Sequence, residues 1–303
     1  MLKDFSDKNI ISLLGSRTRW CKRACKEIIN RKDDFIPLLL NVLDEAITKP
    51  ELFAYEEKNG TTEHIPAALL LAQFRVHEAY PRLVNLISYS EDLANRLWGN
   101  ILLDGYVPVL RDTFNGEAFL LPNLMEEKSV SHWSRAMAVR AWGMHYFDGF
   151  LTREEICGCF RRLIHDVYAD SPGKEGLTVL TFIAHTIRKQ QLEELIDDVK
   201  AIYQKSGINE FLEETLDEFI SSFNDPKHKA KDFHVDNTIG MLEELKWFSG
   251  EKSDAKDSGY NNESGESRNF EESKFNKKPD EIGRNSPCSC DSGRKYKNCC
   301  LVR

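Results

Sequence analysis

The stretch Leu192-Glu193-Glu194-Leu195-Ile196-Asp197-Asp198-Val199-Lys200-Ala201-Ile202-Tyr203 decides the fold. Its apolar positions 192, 195, 196, 199, 202 and 203 fall on one stripe of a helix with 3.6 residues per turn, and its acids and Lys200 fall opposite. The next segment repeats the pattern with Phe211, Leu212, Leu216, Phe219, Ile220 and Phe223. No stretch of the chain sustains the period-2 alternation of a half-buried strand, so the fold class read here is all-α.

Working outward, helices are expected in pairs: 17–30 with 33–47, 63–76 with 78–90, 92–103 with 105–115, 131–148 with 152–168, 174–189 with 191–206, and 208–223 with 235–249. The breaks between them carry Pro50, Gly60, Pro81, Gly105, Gly149, Pro172-Gly173, Gly207 and Pro226, residues that punctuate helices. Thr152 and Glu155 have the spacing of a capping box. The pair-to-pair period is near 35–45 residues, the range of HEAT-like and other α-α repeats. One pair cannot bury its stripe alone, so stacked pairs with a continuous core are expected; an irregular helical bundle is the alternative.

Three parts follow from composition. Residues 1–250 are the helical-repeat domain. Residues 251–280, including Ser253-Asp254-Ala255-Lys256-Asp257-Ser258-Gly259, have no apolar stripe and read as a flexible linker with a reach of about 30 Å. Residues 281–303 form the third part. The charge divides in the same way: of a net −8, residues 1–273 carry −13 and residues 274–303 carry +5. With 41% hydrophobic residues the chain holds enough apolar material for a core, and no apolar run reaches the ~18 residues of a membrane span. The first residues hold acids and no apolar stretch, so no secretory leader is read there and a cytoplasmic protein is expected.

Four of the eight cysteines crowd into Cys288-Ser289-Cys290 and Cys299-Cys300. Two close thiol pairs can surround one Zn²⁺ tetrahedrally, with Zn–S near 2.3 Å. Four protein ligands leave no open position, so the zinc is expected to be structural. Asp291-Ser292-Gly293 supplies a turn between the pairs, and Arg284, Arg294, Lys295 and Lys297 favour the thiolates. Reduced thiols in a disordered tail, or two disulfides, are the competing readings.

Gly283-Arg284-Asn285-Ser286-Pro287-Cys288-Ser289-Cys290-Asp291-Ser292-Gly293-Arg294-Lys295-Tyr296-Lys297-Asn298-Cys299-Cys300 resembles the SEC-C motif, the zinc-binding segment at the C-terminus of the preprotein-translocase motor ATPase and of many other bacterial proteins. Ser289, Asp291 and Leu301 depart from the usual residues; the four ligand positions do not. The resemblance implies docking to a protein or ribosome. A P-loop is absent, so a motor is excluded. The body, through His64–Arg75, Ala79–Leu83, Arg140–Glu155 and Leu242–Trp247, resembles a bacterial family of helical-repeat proteins of unknown function that often end in this motif.

No other motif points to catalysis, and no catalytic residues are assigned. Cys21 with Cys25, and Cys157 with Cys159, are expected to be packed in helices rather than to bind metal. His64 and His77 are expected in capping and surface roles, the aromatics around His132 and His145 in the core, and the carboxylates of 208–218 on a solvated helix face. The expected function is a non-enzymatic zinc-binding adaptor. The alternatives are nucleic-acid binding through the basic tail, which the acidic body opposes, and an enzyme with an unrecognised site in the body. Elemental analysis of the purified chain should give about one zinc per chain, lost in Cys290→Ser while the helical circular dichroism persists; a zinc-free wild-type chain would contradict the ligand set.

Overall fold

The computed structural model describes residues 5–54, 61–170, 172–205, 207, 208, 211, 212, 214–231 and 234–245. Among these residues the regular structure is helical, with no strand. The helices are α1 (Asp7–Ser12), α2 (Arg19–Asn30), α3 (Lys32–Thr48), α4 (His64–Gln73), α5 (Tyr80–Ile87), α6 (Glu91–Trp98) and α7 (Ile101–Thr113). Then come α8 (Leu120–Glu126), α9 (His132–Phe147), α10 (Arg153–Arg162), α11 (Gly173–Lys189), α12 (Ile196–Tyr203), α13 (Leu216–Ser221) and α14 (Thr238–Glu244). A π-helical turn, Leu163–Val167, continues α10.

The helices form two layers. In one, α3, α4, α7, α9 and α11 pack each against the next. In the other, α5 packs on α8, α8 on the π turn after α10, and that turn on α12. Helices of the first layer have neighbours on several sides and are apolar to match. Every residue of α4 from His64 to Ala72 is buried, and so is every residue of α9 from Ser134 to His145 except Arg140. At Gly143 an added Cβ would meet Thr186 Cγ2 at 2.5 Å, so the missing side chain is what lets α9 lie so close to α11.

Ion pairs between successive repeats record the same period. Asp44 and Arg82 are 38 positions apart, Arg75 and Asp112 37, Arg111 and Asp148 37, Glu126 and Arg162 36, Arg135 and Glu175 40, Arg153 and Glu194 41, and Arg161 and Asp198 37. Three of the turns that end first-layer helices also match in backbone. Arg75, Gly149 and Gln191 take the left-handed conformation, at φ 56°, 79° and 55°. The following N–H groups of Val76, Phe150 and Leu192 donate to the carbonyls of Leu71, His145 and Ile187 at 2.9–3.0 Å. This six-to-one bond is the Schellman closure of a helix. The left-handed form costs a non-glycine residue roughly 1–2 kcal/mol. Arg75 and Gln191 offset that with side-chain bonds, the first to Asp112 and the second to the carbonyls of Arg188 and Phe223.

Five of the six expected helix pairs are present. In the sixth, 208–223 with 235–249, the described helices are the shorter α13 (Leu216–Ser221) and α14 (Thr238–Glu244), and α14 packs on α4 and α2 instead of closing a pair. Two further differences concern the other elements. The break expected at Gly105 falls instead at Gly99, which takes φ 50°, while Gly105 lies inside α7, where Met241 and Leu245 of the α14 region pack beside it. The short helices α1 and α8 have no counterpart in the sequence reading, because six or seven residues are too few to show a period. The Thr152–Glu155 capping box forms, and a second, Thr215 with Glu218, opens α13.

The chain does not end at the last repeat. After α13 it returns to the early helices, and α14 packs on α4 and α2. The linker at 251–280 and the segment 281–303 lie outside the described residues.

Candidate functional site

The four expected zinc ligands, Cys288, Cys290, Cys299 and Cys300, lie outside the described residues. Among the described residues, no three His, Cys, Asp or Glu side chains are grouped as a metal site would require. The remaining cysteines are buried thiols, as expected. A bond to Cys21, together with burial, pushes the Cys25 thiol far above its usual range. Burial pushes Cys159 up to about 12. These thiols stay protonated, which suits packing and not metal binding.

His77 is exposed as expected, but His64 is not on the surface. It is fully buried, its Nε2 lies 2.8 Å from the Leu97 carbonyl, and it meets Phe53 and Trp98 edge-on at 5.5 and 4.8 Å. The reason is the all-round burial of α4: its first residue already lies between neighbours. Burial holds His64 down to about 4. His145 is buried too, stacked on Phe114 at 4.0 Å, with burial pushing it down to about 3. Of the described acids of 208–218, Asp217 and Glu218 are exposed as expected and Glu214 is half-buried. Glu214 pairs with the buried Arg188 at 2.7 Å, and Glu218 caps α13.

The polar centre missed in the sequence is built on Asp112, whose side chain is 1% exposed. Arg75 Nη1 donates to its Oδ1 at 2.5 Å, His234 Nδ1 bonds the same oxygen, and the Val235 N–H donates to Oδ2 at 2.6 Å. Burying a carboxylate is costly unless it is paired and hydrogen-bonded, and here three donors from two distant segments satisfy it. The Thr238 N–H also donates to Gln73 Oε1 at 2.9 Å, and Lys22 pairs with Glu243. Asp112 is thus the clasp that holds the returning segment 234–244 against α4 and α7. The 37-residue spacing of Arg75 to Asp112, repeated by Arg111 to Asp148, was a readable signal for half of it; the His234 contact, 122 positions away, had none.

A surface cleft of about 440 Å³ opens beside the turns at Gly149 and Gln191, lined in part by Tyr146, Phe147, Lys189 and Lys229. Its lining holds amides, amines and aromatic rings but no carboxylate, thiol or imidazole. No reaction is built on it.

The repeated helix pairs, matching turns and one-repeat ion pairs define an α-helical repeat protein. The chain belongs to the DUF1186 family, described as proteins of unknown function, whose pattern matches residues 8–249. The SEC-C motif matches residues 284–301 and so spans all four tail cysteines. The chain is similar to an uncharacterized protein of Chlamydia trachomatis serovar D, 25% identical over 64% of this chain and 82% of that one. It is also similar to an uncharacterized protein of Chlamydia muridarum, 26% identical over 39% of this chain and 46% of that one, so the match spans about half of that relative's length. No solved structure matches the chain. No helix of the described residues is long and apolar enough to cross a membrane.

His64 titrates near 6.5 in the unfolded chain and near 4 in the folded one. The unfolded state therefore takes up a proton first as pH falls. Stability from this group is complete above pH 6.5 and declines between 6.5 and 4, by about 3 kcal/mol over the whole interval. His64→Gln, whose amide can still donate to Leu97, should unfold in urea with a shallower stability loss between pH 7 and pH 4.5 than wild type. Equal slopes would show that His64 is not held neutral.

Proposed function

We propose that the protein is a non-enzymatic adaptor: the helical-repeat body is a scaffold, and the terminal segment is a knuckle that holds one structural Zn²⁺ and docks a protein or ribosome partner. The observation that carries this reading is the SEC-C match at residues 284–301, placed after a body whose buried histidines and thiols are committed to packing. Cys288, Cys290, Cys299 and Cys300 are the ligands in this reading. Their donor set suits zinc: four soft thiolates in two close pairs favour tetrahedral coordination, and saturation leaves no place for a substrate. Such a site supplies about 10–16 kcal/mol of folding free energy at pH 7, which a segment of some twenty residues has no other means to match. The thiolates persist in a reducing compartment, in keeping with a cytoplasmic protein.

The basic residues around the cysteines favour an acidic partner surface. Tethering the knuckle to the body brings its second contact to an effective concentration in the millimolar range for suitable linkers. The alternative, nucleic acid gripped by the tail, has less support, because Tyr296 is the one aromatic of the knuckle and single strands bind largely by stacking.

Tagged full-length chain, a chain lacking 280–303, and Cys290→Ser should be compared by affinity capture from cells with quantitative mass spectrometry. The reading expects the same partners to be lost from both altered chains; an unchanged partner set would end it.

A further inference from the structure

The sequence from Arg17 to Lys26 holds Arg17, Arg19, Lys22, Arg23 and Lys26 and no acid, in a body whose overall charge is strongly negative. Helix α2 sorts these residues cleanly. Cys21, Ala24, Cys25 and Ile28 form its buried stripe, at spacings of three and four. Arg19, Lys22, Arg23 and Lys26 have the same spacing two to three residues out of phase and therefore line the opposite face.

Trp20 stands at the edge of that face, 36% exposed. The Arg23 guanidinium lies 4.8 Å from its ring centroid and that of Arg19 5.7 Å. Stacking on the indole restrains both guanidinium groups. The acids nearest in sequence are engaged elsewhere, since Asp7, Glu27 and Asp34 pair with Arg31, whereas Lys22 is itself paired with Glu243. The fold does not call for this arrangement. Arg19 occupies the first turn of α2, which has no acid, and cations there are opposed by the helix dipole and by one another.

We propose that the outer face of α2, formed by Arg19, Trp20, Arg23 and Lys26, is a docking surface for single-stranded nucleic acid. Arg19 to Lys26 covers about 10 Å of helix axis, room for about two adjacent phosphates of one strand. Arginine presents a planar fork that matches phosphate. The indole–guanidinium cluster decides between polyanions: a nucleobase stacks on the guanidinium planes that Trp20 holds, a contact a carboxylate chain does not make. A membrane surface fits less well, because the apolar stripe of α2 is already committed to the core. The proposal is independent of the zinc knuckle.

The test is fluorescence anisotropy of the full chain with a labelled 20-nucleotide oligouridylate at 50 and 150 mM salt, with unlabelled poly-L-glutamate as competitor. Arg19→Ala/Arg23→Ala should weaken binding about ten-fold or more at 50 mM salt and flatten the salt dependence by about 1.4 in log–log slope, two phosphate contacts' worth. Trp20→Ala should weaken binding about five-fold or more, and Cys290→Ser should leave it unchanged. Arg19, Trp20 and Arg23 are on the surface, and circular dichroism confirms the variants' folding. Four results would overturn the proposal: no binding by wild type at 50 mM salt, wild-type affinity in the double variant, poly-L-glutamate competing as well as unlabelled oligouridylate, or loss of binding in Cys290→Ser alone.

Discussion

A helix buried on nearly every side is stable in water only between other helices, and α4 and α9 are such helices. Their burial, residue after residue, is the constraint from which the rest of the body follows. At about 25 cal/mol per Å² of apolar surface removed from water, no isolated helix pair recovers the entropy of ordering its chain. Stacking α3, α4, α7, α9 and α11 side by side does, because each supplies the wall its neighbour lacks. The second layer then covers what remains exposed of the first.

Charge follows packing in this scheme. The ion pairs between repeats fall one repeat apart because equivalent positions of adjacent repeats are neighbours in space. Exposed members of the set, such as Arg153 with Glu194, contribute only about 0–1 kcal/mol each, so they fix register more than they hold the fold. The buried ones differ. Asp112 and Arg111 are nearly inaccessible, and removing one partner from such a pair leaves an uncompensated charge inside the protein. The clasp on Asp112 therefore ties the returning segment 234–244 to the early helices.

Much of this was readable in the residues. Stripes at 192–203 and 211–223, the Thr152–Glu155 box and the spacing of prolines and glycines reveal helix pairs with a period near 40. The fold class rests on local signals, which is why it is legible. What escaped was non-local. His64 looks like a surface histidine beside Glu63, and only the neighbours of α4 bury it. Gly105 looks like a break, but its backbone is helical and Gly99 takes the turn. Asp112 is one acid among forty-nine Asp and Glu, and nothing near it in sequence announces His234. The four tail cysteines are the opposite case, since their spacing is the signal, and the motif match over 284–301 agrees with it.

The central claim is a division of labour: a body held by apolar packing, indifferent to metal, and a terminal segment ordered by zinc. Hydrogen exchange of the full chain read by mass spectrometry, with and without a zinc chelator, tests it most directly. The account predicts that protection across residues 8–249 is unchanged by the chelator while protection within 284–301 is lost. Protection that falls across the body on chelation, or that persists in the tail without zinc, would contradict it.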